Sequence, residues 1–341
     1  MKKERLSNIE LLRIIAITMV LMLHFNVQGW HPGIYTEERI FSLSLIEGHI
    51  IESLCISAVN IFVLISGYFS IKLSIKSILN LYIRCFIIGL ITYLAYLLIA
   101  HEPATTSALV GRALAFTHNH WWFVISYLGL MAISPILNAG CEALSKRNYL
   151  YVLSMLSIAM IYFGWYKNWE ITNAGYSLIH FIYLYIIARY IKLHVSDQLV
   201  RQHRWTWFLL FALLVVVLVV FALFNPPYAY AYNNPIVIAI AICLLLFSIS
   251  MPFYNRYINW CAASVFSAYL IQESPYFGRL LLYPKTNELF ANGLCGGAIL
   301  FAIEVASTLI ISIVVDMIFV MPVIKYTNKK YDKIFNHSTA V

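Results

Sequence analysis

FLLFALLVVVLVVFALF, running from Phe208 to Phe224, is apolar at every position. A strand of a membrane barrel alternates polar and apolar residues over about ten positions, and a surface helix of a soluble domain keeps one polar face. This run does neither, so it reads as a helix with lipid or protein on all sides, its backbone polar groups paired within itself. Working outward, runs able to cross a bilayer with about 20 residues fall at 9–28, 50–70, 79–100, 120–140, 148–166, 174–192, 205–224, 235–254, 260–283 and 298–322. The expectation is an all-α integral membrane protein, a single domain over 1–341 in which ten helices form one bundle. The composition agrees, since of 341 residues 62% are hydrophobic and 11% charged, against about 25% charged in soluble domains.

Ten crossings put both termini on one side. With a cytoplasmic N-terminus, sixteen of the 23 Lys and Arg fall inside and five outside, while Arg13 and Arg84 lie within spans. That bias matches the positive-inside rule and makes both termini cytoplasmic. The net charge of +8 is scattered and forms no patch, so no nucleic-acid partner is expected and membrane lipids are. Six Cys form no CxxC pair and read as small apolar fillers. Because Arg13 interrupts the first apolar run, the N-terminus reads as a retained span and not a cleaved signal. The outer loop NPPYAYAYNN (Asn225–Asn234) suits an interfacial aromatic belt, or stacking on a sugar.

Ionisable residues inside spans carry the functional signal, because a charge at mid-membrane costs about 2.5–3.5 kcal/mol on insertion scales. In IELLRIIAITMVLMLHF (Ile9–Phe25), Glu10 and Arg13 are spaced to pair on one face. His24 follows Arg13 by eleven positions, which at about 100° per residue returns it to Arg13's face, about 16 Å further along the axis. Taken singly, Arg13 could be a snorkelling anchor and His24 a bundle hydrogen bond; sharing a stripe favours function. The His118/His120 pair lacks a third ligand, so no metal is expected.

The Arg13-to-His24 spacing, VNIFVLISGYF (Val59–Phe69), WWFVISYLGLMAISPILN (Trp121–Asn138) and VFSAYLIQ (Val265–Gln272) resemble, in order, the motifs of the acyltransferase-3 family of many-spanning membrane O-acyltransferases. The resemblance covers essentially the whole chain and implies an enzyme of the bacterial cytoplasmic membrane. Such an enzyme moves an acyl group, acetyl above all, from cytoplasmic acyl-CoA to a hydroxyl of an envelope or exported polysaccharide or a lipid-linked sugar. Acyl-CoA, expected as acetyl-CoA, is then a donor substrate, and no cofactor stays bound. On that reading Arg13, Arg84 and Lys76 hold the donor phosphates, and His24 takes the proton of the attacking hydroxyl. Glu304 is the expected orienting partner of His24, with Glu273 its rival, and Asp316 is expected to pair with a basic residue. Acceptor contacts are expected from His120, Trp121, Asn60 and Glu273. The chain departs from the family pattern at Asn60, where an Asp is common, at Arg84, which stands without a second Arg, and at Gln272, where a His is common. The competing reading is a secondary transporter or polysaccharide exporter, but Pro135, Pro252 and Pro275 make no matched pair of broken helices in the two halves.

Overall fold

The computed structural model describes residues 6–35, 43–116, 121–291 and 297–336. Among them the chain is helical with no strand. The α-helices are α1 Ser7–Phe25, α2 Leu43–Cys55, α3 Ala58–Tyr68, α4 Ile75–Ala100, α5 Thr106–Ala113, α6 Trp122–Ala143, α7 Lys146–Ala159, α8 Leu178–His194, α9 Asp197–Gln202, α10 Arg204–Ala222, α11 Pro226–Ala229, α12 Pro235–Ser250, α13 Arg256–Ala262, α14 Phe266–Gln272, α15 Tyr283–Ala291, α16 Gly297–Val315 and α17 Met321–Asn336.

Seven helical stretches among the described residues are long and apolar enough to cross a membrane. Three of the ten expected spans take another form. Those at 174–192 and 235–254 become α8 and α12, of 17 and 16 residues. The span expected at 260–283 comes as pieces: α13, α14 and a π-helical turn, Phe277–Leu282. One break has a clear cause: Pro275 lacks an N–H and disfavours helical geometry at the residue before it. The chain then closes on itself so tightly that a Cβ on Gly278 would stand 1.8 Å from the Gln272 carbonyl oxygen. The last stretch, in turn, is longer than expected, helical from Gly297 to Phe335.

The chain folds as two compact units. The first takes in the chain up to Lys72 together with Ser126–Ala262. Here α1 packs on α2, α3, α12 and α13, α3 on α8, and α10 on α12. Glycine permits the closest of these approaches: a Cβ on Gly67 would lie 2.7 Å from the Tyr185 carbonyl oxygen and 2.9 Å from the Ala188 Cβ. The start of α1 is tied to the end of α12, with the Asn8 amide donating to the Ser248 carbonyl at 2.8 Å and the Ser248 hydroxyl to the Asn8 carbonyl at 2.9 Å. At the other end of α12, Asn234 caps the Ile236 N–H at 2.8 Å and donates to the carbonyls of Tyr228 and Ala229, which fastens the Tyr-rich loop. Leu209, Leu213, Val216 and Val220 repeat at helical spacing along α10 and are all exposed, a face that only a lipid environment suits.

The second unit comprises Leu73–Ile125 and Ala263–Val341. Its α4 packs on α5, α14, α17 and a π-helical turn, Asp316–Val320. Five described Cys are free and four of them buried, as fillers should be.

Candidate functional site

The first unit contains α1, which is one unbroken helix from before Arg13 to just past His24. Arg13 Nη1 donates to Glu10 Oε1 at 2.8 Å, and the Arg13 side chain keeps 36% of its surface exposed. His24 is half-buried near the far end. Immediately after it the winding loosens into a π-helical turn, Asn26–Trp30, closed by the His31 N–H on the Asn26 carbonyl at 2.7 Å. Such wide turns recur at functional positions.

That turn opens onto a buried polar cluster. The Asn26 amide uses both its hydrogens, one to the Gly48 carbonyl at 3.0 Å and one to Glu52 Oε2 at 2.9 Å. Its oxygen therefore accepts from His31 Nδ1–H, 2.8 Å away. This fixes the tautomer, since a neutral imidazole protonated on Nδ1 presents a lone pair on Nε2. That Nε2 is buried and has no hydrogen-bond partner among the described residues, and a buried acceptor left unmet costs about 1–3 kcal/mol. His31 stays neutral because burial, and secondarily His49, hold its pKa down at about 4.

Glu52 is enclosed by the same cluster and belongs to no ion pair among the described residues. Its other oxygen accepts from the Tyr35 hydroxyl. Burial, and next the Glu52 carboxyl, push the Tyr35 phenol well above its ordinary pKa, so it remains a donor. Beside it the Tyr230 hydroxyl lies 2.8 Å from His49 Nδ1 and donates to the His49 carbonyl at 3.2 Å. Tyr35 meets the Tyr230 ring edge-on at 5.5 Å. The Tyr-rich loop thus packs against α2 through a buried hydroxyl.

Of the residues expected from sequence, Arg13, His24 and Asn60 belong to this unit. Asn60 is buried and used internally: its amide donates to the Tyr232 carbonyl at 2.9 Å and its oxygen accepts from His180 Nε2 at 3.0 Å. It holds the Tyr-rich loop against α8. Arg84, Lys76, Trp121, Glu273 and Glu304 belong to the second unit. There Arg84 Nη1 pairs with the fully buried Asp316 at 2.9 Å, and its other nitrogen donates to the Ala263 carbonyl at 3.2 Å. Ser267 donates to the same Asp316 oxygen. Asp316 therefore has the basic partner expected for it. Lys76 Nζ donates to both oxygens of Asp332 at 2.8 Å. Glu273 accepts from Arg279 at 2.9 Å and from the Tyr283 hydroxyl. Glu304 is half-buried. Trp121 is buried, and its Nε1–H has no partner among the described residues. His118 and His120 lie outside the described residues, and among the described ones no group of three His, Cys, Asp or Glu could hold a metal.

Sequence reading missed Asn26, His31, Tyr35, His49, Glu52 and Tyr230. A signal was there: Glu52 is a carboxyl inside the second apolar run, which the cost of burying charge marks as functional.

A chain whose described residues are helical, with seven stretches long and apolar enough to span and with exposed apolar faces, is a multi-pass membrane protein. The profile of the acyltransferase-3 family, an acyltransferase domain, matches residues 6–317. The chain belongs to that family and is a membrane acyltransferase. No curated protein matches it, and no solved structure does.

Proposed function

We propose that the protein transfers an acetyl group from cytoplasmic acetyl-CoA to a hydroxyl of an envelope or exported polysaccharide, or of a lipid-linked sugar, in a bacterial cytoplasmic membrane. The observation that carries this reading is α1 itself, a single helix bearing Arg13 and His24 eleven residues apart, hence on one face and about 16 Å apart along the axis. With the N-terminus proposed to be cytoplasmic, as the basic-residue bias favours, Arg13 lies at the donor's side and His24 towards the acceptor's. The half-exposed Arg13 guanidinium is suited to hold a donor phosphate through its planar fork. The pantetheine arm then lies along α1.

Neutral His24 accepts the proton of the acceptor hydroxyl as that oxygen attacks the thioester carbonyl. A C–O bond forms, the C–S bond breaks, and the coenzyme A thiolate leaves and takes up a proton. Within the second unit, Trp121, His120, Glu273 and Glu304 are proposed to take part in handling the acceptor. The test is transfer of label from radiolabelled acetyl-CoA into alkali-labile glycan ester in membranes carrying the protein. Wild type should transfer, and His24→Gln should bind donor but transfer nothing. Rapid glycan acylation by His24→Gln, or export of glycan with no label incorporated by wild type, would overturn the reading.

A further inference from the structure

Resting on the acyl-transfer reading, we infer that His31 Nε2 receives a hydroxyl of the sugar acceptor, with Asn26 and Glu52 as the positioning residues that aim it. Three observations converge. First, the lone pair is buried and unpartnered among the described residues, while the ring's other nitrogen is met by Asn26. Native structures leave few such atoms, and each calls for a cause; a ligand O–H supplies the donor the protein lacks.

Second, the ring is held from several sides. Asn26 fixes which nitrogen carries the proton, Glu52 fixes which way Asn26 points, and Tyr35 holds Glu52. Trp30 lies against the ring at 4.5 Å. Gly48 admits the imidazole, since a Cβ there would stand 2.9 Å from His31 Cγ. A chain of hydrogen bonds that ends on an unused acceptor is a preorganised contact for a donor. Third, the place fits: Asn26 follows His24 by two residues on the same segment, and His31 adjoins the exposed turn residues Pro32 and Gly33, which gives a sugar a short approach. Low basicity suits the task, because burial keeps His31 uncharged and an imidazolium has no lone pair to offer. The contact is a hydrogen bond only, with no proton lost to His31.

The experiment uses membranes carrying the full chain, radiolabelled acetyl-CoA, and those membranes' own alkali-labile glycan as acceptor. Acetyl-CoA affinity and thermal midpoint are measured on each purified variant. His31→Phe should cut glycan labelling about tenfold, the value of one hydrogen bond, with donor affinity unchanged. His31→Gln, whose amide oxygen can accept, should recover part of that loss. Glu52→Leu, which removes the acceptor that orients Asn26, should resemble His31→Phe. Gly48→Ala, which displaces the ring but leaves every polar group in place, should also lose transfer and covers the case in which His31→Phe does not fold. Wild-type labelling by a folded His31→Phe or Gly48→Ala, or loss of donor affinity alongside transfer, overturns the inference and leaves acyl transfer standing. Failure of wild type to label any glycan removes both.

Discussion

Removing the Asp316 carboxylate separates two roles for Arg84, gripping the donor and holding the fold. In Asp316→Ala the guanidinium, 12% exposed, loses its ion-pair partner. It keeps the Ala263 carbonyl at 3.2 Å and the Ser267 hydroxyl at 3.3 Å. Breaking one side of a buried pair costs about 3–5 kcal/mol, and the surviving hydrogen bonds place this case near the lower end. At 1.36 kcal/mol per factor of ten, about 3 kcal/mol lowers the folded-to-unfolded ratio roughly a hundredfold. Replacing both partners with apolar residues removes the uncompensated charge, so Arg84→Met/Asp316→Leu should recover most of that stability. Thermal unfolding of purified protein, run beside acetyl-CoA affinity, reads both quantities. An Asp316→Ala midpoint equal to wild type would refute the buried-pair argument. A double variant as stable as wild type but unable to bind acetyl-CoA would return Arg84 to the donor site.

Arg13→Ala should raise the acetyl-CoA concentration needed for half-saturation more than Arg13→Lys does, since lysine keeps the charge but not the fork; equal saturation of both variants with wild type would make Arg13 an anchor. His31 has a folded-state pKa of about 4 against an ordinary 6.5, so between these values the unfolded chain binds more protons and stability falls as pH falls, by up to about 1.4 kcal/mol per pH unit; unfolding from pH 7 to 4 should show this slope in wild type and a shallower one in His31→Gln. A cysteine at exposed Tyr228 should react with an impermeant thiol reagent from outside intact cells in a background lacking other reactive Cys, and labelling only after lysis would invert the topology.

Much of the fold was legible because lipid solvation leaves a coarse mark: runs such as Phe208–Phe224 have no polar face, and no structure was needed to make them helices. Span integrity was less legible. Hydropathy integrates over a window and does not register Pro275, so the run at 260–283 read as one crossing although its helix stops at Gln272. Pairing within the site was harder still. Counting depth along separate helices offers Glu304 as a candidate for His24 but does not find pairs made by three-dimensional proximity, such as Glu52 with Asn26 and Tyr35. Lys76 carried the expected charge, and its neutralisation by Asp332 could not be read across a spacing of 256 residues; that Asp316 would have a basic partner was legible, but that the partner is Arg84 was not.

The widened turn at Asn26–Trp30 makes the chain's length there a functional quantity. One residue more than a regular α-helical turn sits between the Asn26 carbonyl and the N–H that reaches it. Everything before it is phased by the packing of α1, and everything after it by that surplus residue. Deleting Gln28, an exposed side chain, would change no polar group in the cluster and would let the helix resume regular winding, with His31 four residues after Asn26 and still one turn away. An extra residue there has no wider turn to absorb it and would turn the segment beyond by about 100°, so the site tolerates a shorter chain at Gln28 and not a longer one.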